Sequence, residues 1–296
     1  MKKSSLWLNI LAGLLWGTSG IFSEVLLSPF GFSSLQLTAT RGIVSGIAIA
    51  LFALFFRKEQ FKVKAKHLLL YVAVGISLFA TAAFYYISIR RASPSTAAVL
   101  MNTSPAFVMT VSVIFFKEKL GKSKLFALIA MLIGCMLVSG IDFSGMRYDF
   151  WGILSGLAAG VSTSIYYLLS KVEFKFECDP FQATLYHFIA MGTAGLFFLD
   201  LPSYTASVAT APLSAIPLLI ALGLVTCVIP YFLCTLSMKH LSAGVASALA
   251  IIEPMSATVY SAVLTALGIM NETFTVLSVI GIVLILGACV VLERSE

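Results

Sequence analysis

Three charged side chains interrupt otherwise apolar stretches of the sequence: Glu24, Arg41 and Glu253. Glu253 stands directly before Pro254 in the run LAIIEPMSATVY (249–260). An ionised group without a partner in the middle of a bilayer costs at least about 2.5 kcal/mol, so each residue needs a partner or a water-filled cavity. For Glu253 two interpretations stay open. Either a protonated carboxyl donates a hydrogen bond to a carbonyl that the proline leaves free, or Glu253 exchanges a proton or binds an amine.

Glu24 and Arg41 lie near the same predicted outer boundary of the membrane, on neighbouring apolar stretches. At 1.5 Å per residue, Glu24 is about 27 Å along its helix from Leu6, and Arg41 is about 10 Å down the next helix from that boundary. Their long side chains predict an ion pair; the alternative is an outer gate or a ligand clamp. His187 aligns with Arg41 in a repeat described below, and we expect it to pack through a hydrogen bond rather than to relay protons.

A polar patch of Asn102, Thr103 and Ser104 directly precedes Pro105 in another apolar stretch. A proline inside a helix removes a backbone hydrogen bond and introduces a kink, so carbonyls released there would join the patch as ligand groups. Ser104 aligns with Glu253 in the repeat, which makes the predicted site neutral on one side and acidic on the other. That asymmetry suits a ligand that carries an amine.

Aromatic side chains fall into two groups by their depth in the apolar stretches. Trp16 and Tyr231 lie deep, and we expect them to line a cavity, where they stack on an aromatic or apolar ligand or face a cation. Tyrosines near the ends of spans usually anchor a protein at the membrane interface. We expect this interfacial role for Tyr85, Tyr86, Tyr166 and Tyr167.

Glycines recur at regular spacing on two stretches. They are Gly13, Gly17 and Gly20 on the first, and Gly152, Gly156 and Gly160 on the sixth. Such stripes let helix backbones approach closely in lipid, so both helices are expected to pack tightly. Flat faces of this kind are also compatible with sliding between two halves of a protein.

The elements that position these residues must be membrane-spanning helices. The chain has 296 residues, is 59% hydrophobic and only 11% charged, and has a mean hydropathy of +1.01, whereas soluble domains are about 25% charged. A helix of about 20 residues crosses the hydrocarbon core. The sequence therefore predicts an all-α polytopic membrane protein with ten transmembrane helices. The predicted spans are 6–27, 34–56, 67–89, 95–116, 123–141, 150–170, 180–199, 213–236, 243–268 and 274–292.

Lysine and arginine are concentrated in alternate connecting loops. With the N-terminus in the cytoplasm, most of them fall on the inner side, as Lys64 and Lys171 do, whereas Arg90, Arg91 and Arg147 fall outside. This bias predicts that both termini are cytoplasmic. It also explains a pI near 9.1 without a nucleic-acid partner.

The sequence contains no motif typical of a metal-binding or nucleotide-binding site. The 5 cysteines and 3 histidines lack the spacing of metal ligands, and buried free thiols usually behave as small hydrophobic groups. No GxxxxGK[ST] phosphate-binding loop is present,. We therefore expect no catalytic residue, metal or cofactor, and no use of ATP.

The chain is predicted to be a doubled unit with repeats at 1–143 and 149–296. Three pairs of segments align in the same order: LAGLLWGTS (11–19) with LSGLAAGVS (154–162), QLTATRGIVSG (36–46) with QATLYHFIAMG (182–192), and ASPSTAAVLMNTSP (92–105) with LSAGVASALAIIEP (241–254). Each repeat would hold five helices. An odd number of helices inserts the second copy upside down, an arrangement typical of secondary transporters, whose sites lie where helices are interrupted near the midplane. Pro105 and Pro254 fall at equivalent positions about 15 Å deep, which predicts a paired functional break.

These features together resemble the drug/metabolite transporter superfamily, in its EamA-type branch. The resemblance is carried by the five-plus-five layout, WGTSG (16–20), the arginine of helix 2, the P…E pattern of helices 4 and 5, and the EP pair (253–254) followed by Glu272. It covers essentially the whole chain. It implies that helices 1, 3, 4, 6, 8 and 9 surround a central cavity, while helices 5 and 10 lie peripherally and support a homodimer in some members. It also implies export of amino acids or other small metabolites, whereas other branches import choline-like cations or exchange nucleotide sugars.

We therefore expect a secondary transporter of the plasma or inner membrane that exports a small metabolite, such as an amino acid, by alternating access. The predicted substrate-binding residues are Trp16, Asn102, Thr103, Ser104, Tyr231 and Glu253. The predicted coupling or gating residues are Glu24, Arg41, Pro105, Glu253 and Pro254. Three alternatives stay open: an importer of a small cation such as choline, a membrane-embedded enzyme acting on lipids, and a structural subunit that transports nothing. The enzyme would require a cluster of His, Asp, Ser or Arg near one interface, which the sequence lacks.

Overall fold

A computed structural model describes residues 2–27, 32–92, 94–117, 121–139, 149–210, 213, 215–268 and 275–295. Throughout these ranges the regular structure is helical. The α-helices are α1 (Lys2–Trp16), α2 (Thr18–Leu27), α3 (Ser34–Phe56), α4 (Ala65–Arg91), α5 (Pro94–Met101), α6 (Ser104–Phe116), α7 (Lys122–Val138), α8 (Phe150–Lys175), α9 (Pro180–Phe198), α10 (Leu201–Thr210), α11 (Ala215–Gly223), α12 (Ile229–Ser237), α13 (Ala243–Leu249), α14 (Ile252–Ala266) and α15 (Val276–Ser295). A 3-10 helix, Lys58–Phe61, lies between α3 and α4, and a π-helical segment, Leu224–Val228, joins α11 to α12.

The long apolar helices make this a polytopic all-α membrane protein. Within the described residues, 6 helices or continuous helical runs are long and apolar enough to cross a membrane, or up to 7 if the bent pair Pro180–Phe198 and Leu201–Ala209 forms one span. The first predicted span does not contribute to that number, because a break at Gly17 divides it into α1 and α2, each too short to cross alone. Ten spans and two cytoplasmic termini stay predictions.

Breaks divide the two helices that carry Pro105 and Pro254, as the sequence predicts. α5 ends at Met101 and α6 begins at Ser104, while α13 ends at Leu249 and α14 begins at Ile252. Each proline lies in the first turn after its break, where the missing backbone N–H has no partner to lose. The break at Gly17 and the π-helical segment are two further irregularities that the sequence pattern does not predict.

Close packing between helices confirms the prediction from the glycine stripes. A Cβ atom on Gly17 would collide with Ser256 Oγ and lie 2.8 Å from Ala257 N of α14. On α8, a Cβ on Gly156 would lie 2.7 Å from Leu100 Cδ1, and one on Gly160 would lie 3.0 Å from the Leu100 carbonyl oxygen. The two stripes therefore bring α14 and α5 next to α1 and α8, with no room for a side chain.

Replacing Gly17 by alanine is expected to destabilise the protein by about 1–3 kcal/mol, because the added methyl group must displace the backbone of α14. Thermal unfolding of the purified protein in detergent measures this effect. Gly287→Ala is the matched control, since a Cβ there meets no atom within 4 Å. Equal melting temperatures for the two variants would contradict the close contact between α1 and α14.

The short helix α10 folds back after α9 at an angle of 100° and lies beside the first turns of α3. Gln36 Nε2 donates hydrogen bonds to Ser203 Oγ at 3.3 Å and to Ser207 Oγ at 3.2 Å, and Thr40 Oγ1 lies 2.8 Å from Tyr204 OH. These bonds attach α10 to the end of α3 that the charge pattern predicts to face outward.

Cysteine labelling is expected to place α10 and the loop before α4 on opposite sides of the membrane. A cysteine at Ser203 or Thr205 should react with an impermeant maleimide in intact cells, and one at Lys64 only after permeabilisation, because all three side chains are exposed and the basic loops predict an inner side at Lys64,. The opposite pattern would reject the predicted orientation and, with it, the inverted repeat.

Candidate ligand-binding site

Glu253 occupies the first turn of α14, directly after the break that ends α13. Two hydrogen bonds hold this turn against α1: Ser256 Oγ donates to the Gly13 carbonyl at 3.3 Å, and Tyr260 OH donates to the Leu14 carbonyl at 3.2 Å. The Glu253 side chain is partly exposed, and its carboxylate makes no hydrogen bond or ion pair with any other described side chain. It is therefore an acidic group that is available to a ligand.

Side chains from several helices influence the carboxylate of Glu253. It interacts electrostatically with Arg41 on α3, Tyr85 on α4, Tyr167 on α8 and Tyr231 on α12. These side chains lie on four different helices of the chain. Charged and phenolic groups therefore make up the candidate site.

Arg41 supplies the positive charge of the site. Its side chain is only 8% exposed; Nε donates to Cys227 Sγ at 3.2 Å and Nη1 donates to Tyr86 OH at 3.4 Å. A guanidinium has five N–H donors, and a thiol and a phenol are neutral acceptors. Among the described residues, no carboxylate forms an ion pair with Arg41.

The π-helical segment explains how Cys227 reaches Arg41. Pro230 lacks the backbone N–H that would continue the α-helical ladder, and the chain widens to a π-turn over Leu224–Val228 directly before it. Thr226 and Cys227 in this segment are fully buried. Segments of this kind are frequent at functional sites.

Aromatic rings cover one side of the site. Tyr231 lies edge-on to Trp16 at 5.0 Å between ring centroids, to Tyr166 at 5.3 Å and to Phe188 at 5.7 Å. The indole Nε1 of Trp16 is buried and has no hydrogen-bond acceptor among the described residues. Trp16 therefore offers a further N–H donor inside the protein, next to Tyr231.

The interfacial role expected for four tyrosines is wrong for three of them. Tyr86, Tyr166 and Tyr167 are each 1% exposed. Tyr86 accepts from Arg41, and Tyr166 OH lies 3.2 Å from Thr235 Oγ1. Their rings turn towards the neighbouring helices rather than towards the membrane interface.

The polar patch of Asn102, Thr103 and Ser104 lies at the break between α5 and α6, where hydrogen bonds to backbone carbonyls hold the chain. Asn102 Nδ2 donates to the Ala98 carbonyl at 2.8 Å, Thr103 Oγ1 donates to the Leu100 carbonyl at 2.6 Å, and the Ser104 carbonyl accepts from Ser164 Oγ at 3.1 Å. These bonds stay within the helix or go to α8. Contact of the patch with a ligand stays a prediction.

The contacts predicted for Glu24 and His187 have different outcomes. The side chain of Glu24 lies outside the described part of the structure, as does Glu272, so no contact tests the Glu24–Arg41 pair. His187 makes a hydrogen bond, as expected, with Nε2 2.6 Å from Glu173 Oε1. Sequence reasoning missed Glu173, because the predicted sixth span stops at residue 170 while α8 continues to Lys175.

A separated cation and anion with aromatic neighbours can bind a molecule that carries both charges, with its carboxylate at Arg41 and its amine at Glu253. Within the described residues, no group of three or more His, Cys, Asp or Glu side chains is arranged to hold a metal ion. The described side chains of the site are suited to the recognition of charged groups.

The sequence profile of the EamA-like transporter family matches residues 3–140 and 150–294, which is nearly the entire chain. The chain belongs to the EamA-like transporter family. It is a multi-pass transport protein of the cell membrane, and this membership points to transport rather than to enzymatic catalysis.

Individual relatives agree with the family. The chain is 26% identical over 296 residues to the uncharacterized transporter YdfC of Bacillus subtilis, covering 98% of this chain and 92% of the relative. It is 25% identical over 252 residues to the uncharacterized transporter YwfM of the same organism, covering 84% and 81% of the two chains. A protein of known crystal structure shares the fold, with a TM-score of 0.77 and 17% identity over 98% of this chain and 96% of the other.

Proposed function

We propose that this EamA-family member is a secondary transporter that exports a small zwitterionic metabolite, such as an amino acid, by alternating access. The observation that carries the proposal is that Arg41 and Glu253 interact electrostatically with each other, while neither forms a salt bridge with a described side chain. A charge buried without a partner is costly, so a ligand that supplies both counter-charges would be favoured.

The proposed binding mode assigns one ligand group to each protein group. The ligand carboxylate would accept two N–H bonds from the guanidinium, the geometry that arginine offers to carboxylates. The ligand amine would donate to Glu253, and the ligand side chain would pack against Trp16 and Tyr231, whose rings lie 5.0 Å apart. The predicted role of Trp16, Tyr231 and Glu253 in binding is part of this proposal.

Alternating access is supported by the broken helices. Irregular backbone at mid-membrane is tolerated where it lines a cavity or a binding site. Breaks before Pro105 and Pro254 occupy equivalent positions in the aligned segments 92–105 and 241–254. We propose that 1–143 and 149–296 are inverted repeats that rock about this site, and that the two prolines mark where they bend. The outward direction rests on the resemblance to amino-acid exporters.

A homodimer is a further element of the proposal. α7 and α15 pack on each other so closely that a Cβ on Gly281 would lie 2.6 Å from the Gly134 carbonyl oxygen. The other faces of the two helices expose large apolar side chains, including Phe126 and Val283. These faces meet lipid or, in a dimer, a second copy of the chain.

Import of a choline-like cation is the second candidate, and the aromatic surroundings of Glu253 favour it. Tyr85, Tyr167 and Tyr231 all interact with this carboxylate, and rings around a carboxylate suit a quaternary ammonium group. Arg41 argues against this candidate, because a fixed cation in the same site repels a ligand whose only charge is positive.

Flux into proteoliposomes separates the two candidates. Labelled amino acids are compared with the matching decarboxylated amines, the matching deaminated acids and choline, each measured as exchange against the same unlabelled compound. Exchange of an amino acid that exceeds exchange of both of its truncated analogues by at least tenfold supports the zwitterion site. Exchange of choline alone would establish the second candidate, and exchange of no compound in the panel would reject the proposed substrate class.

A further inference from the structure

Positive charge is concentrated where α3 is joined to α4. Within residues 57–66 there is one acidic residue, Glu59, and there are five basic residues, namely Arg57, Lys58, Lys62, Lys64 and Lys66. The side chains of all six are exposed. Among the described residues, none of these five cations forms an ion pair. The segment 57–66, named here the basic connection, therefore presents a dense positive charge at the surface.

The basic connection must lie at a face of the membrane, because α3 and α4 on either side of it are each long and apolar enough to cross one. The 23 residues of α3 extend about 35 Å at 1.5 Å per residue, which slightly exceeds a hydrocarbon core of about 30 Å. The end of α3 and the residues that follow it are thus placed at the depth of the lipid headgroups.

Large apolar side chains border the basic connection at the adjoining ends of the two helices. Phe55 and Phe56 at the end of α3 are each 72% exposed, and Leu69 in the second turn of α4 is 76% exposed. In a membrane such side chains contact the acyl chains of lipids. Cationic and apolar surfaces therefore adjoin each other in the order in which a phospholipid presents its phosphate and its chains.

Side chains of α9 hold the backbone of the basic connection in place. Gln182 Nε2 donates to the carbonyls of Gln60 and Lys62 at 2.9 Å and 3.1 Å, and Tyr186 OH donates to the Phe61 carbonyl at 2.9 Å. Three successive carbonyls are thus bound from one helix. Because this backbone is already ordered, binding of a ligand to the cations costs less conformational entropy than binding to a flexible loop.

The connection that follows α9, the helix that aligns with α3, has a different composition. Residues 199–214 contain no lysine or arginine and one acidic residue, Asp200. Orientation in the membrane depends on the summed basic charge of the loops. It does not require that the charges be held on a fixed backbone beside exposed aromatic rings, so the basic connection has properties that a topology signal does not need.

We propose that the basic connection is a binding site for an anionic phospholipid. The cations of the segment bind the headgroup phosphate, and the acyl chains pack against the exposed apolar side chains at the ends of α3 and α4. Lysine binds phosphate as a point charge, and basic clusters at a membrane surface attract anionic lipids. The segment lies outside the Arg41–Glu253 site, so this inference goes beyond the proposed transport function and does not depend on it.

Native mass spectrometry of the purified full-length chain in detergent tests the site by titration with phosphatidylglycerol or phosphatidylcholine. Wild type should bind the anionic lipid at least tenfold more tightly than the zwitterionic one. The triple variant Lys58→Gln/Lys62→Gln/Lys64→Gln should bind phosphatidylglycerol at least tenfold more weakly than wild type, since each basic residue near an anionic surface contributes about fivefold. Its binding of phosphatidylcholine should stay within twofold of wild type.

The matched control Lys122→Gln/Lys239→Gln/Arg294→Gln removes the same charge from exposed positions elsewhere on the chain, and its phosphatidylglycerol binding should stay within twofold of wild type. Equal binding of both lipids by wild type, or an equal loss in both triple variants, would overturn the site. Displacement of the lipid by soluble glycerol phosphate at millimolar concentration would also overturn it, by showing a site for free phosphate esters. If the first triple variant does not fold, as judged by gel filtration, Lys62→Gln and Lys64→Gln singly should each weaken binding about fivefold, and unchanged binding in both rejects the inference.

Discussion

Glu253→Gln is expected to lower exchange of the transported amino acid by more than tenfold, or to remove its pH dependence, in a protein that still folds and inserts. Glutamine keeps the size and hydrogen-bonding capacity of the side chain but cannot carry the charge that attracts an amine. Since the carboxylate makes no hydrogen bond or ion pair with any other described side chain, its removal breaks no described contact. Exchange into proteoliposomes at several pH values, with protein recovery measured alongside, gives the result.

Glu59→Gln controls for the loss of one negative charge, because Glu59 is exposed on the 3-10 helix far from the broken helices. Wild-type exchange with unchanged pH dependence in Glu253→Gln would reduce Glu253 to a structural residue that satisfies the break before Pro254.

Arg41→Gln is expected to reduce exchange of the amino acid by at least about 30-fold, since removing one partner of a buried, hydrogen-bonded charge pair typically costs about 2–5 kcal/mol. The loss should be selective. A decarboxylated analogue of the amino acid has no group for the guanidinium to bind, so its exchange should be unchanged or increased relative to wild type. The ratio of the two exchange rates measures this selectivity independently of protein yield.

Two controls accompany the Arg41 variant. Arg91→Gln removes an arginine that is 51% exposed and lies 3.4 Å from Asp149 at the surface, and it should leave exchange unchanged. The double variant Glu24→Gln/Arg41→Gln addresses the predicted pair between those residues. Restored exchange in the double variant would show that Arg41 serves to neutralise Glu24, and would contradict its role in binding a carboxylate.

Asp149 is a carboxylate near the protein surface whose charged form is stabilised by its neighbours. It caps the start of α8, where the Gly152 backbone N–H donates to Oδ1 at 2.8 Å, and Arg91 lies nearby. This backbone hydrogen bond, with the charge of Arg91, lowers the pKa of Asp149 below its ordinary value. Asp149 therefore stays ionised at neutral pH, and its interactions there weaken only in acid.

The sequence by itself determined the class of the protein and the residues worth testing. Apolar runs long enough to cross a bilayer predicted an all-α membrane protein, and local motifs in them predicted the EamA-type resemblance that the family match confirms. Proline is a local signal, because it lacks an N–H wherever it stands, so the breaks before Pro105 and Pro254 were predictable. Glu253 and Arg41 were conspicuous because ionised groups are rare in apolar segments.

Tertiary structure alone decided which side chains face one another. A helix in lipid is apolar on its outer and inner faces, so the hydrophobic pattern does not reveal which tyrosines turn inward, and Tyr166 and Tyr167 were misassigned for this reason. The close approach of Ser256 to Gly17 joins residues that are more than 200 positions apart. The contact of Arg41 with Cys227 and that of Glu173 with His187 likewise depend on packing between helices, which no local pattern encodes.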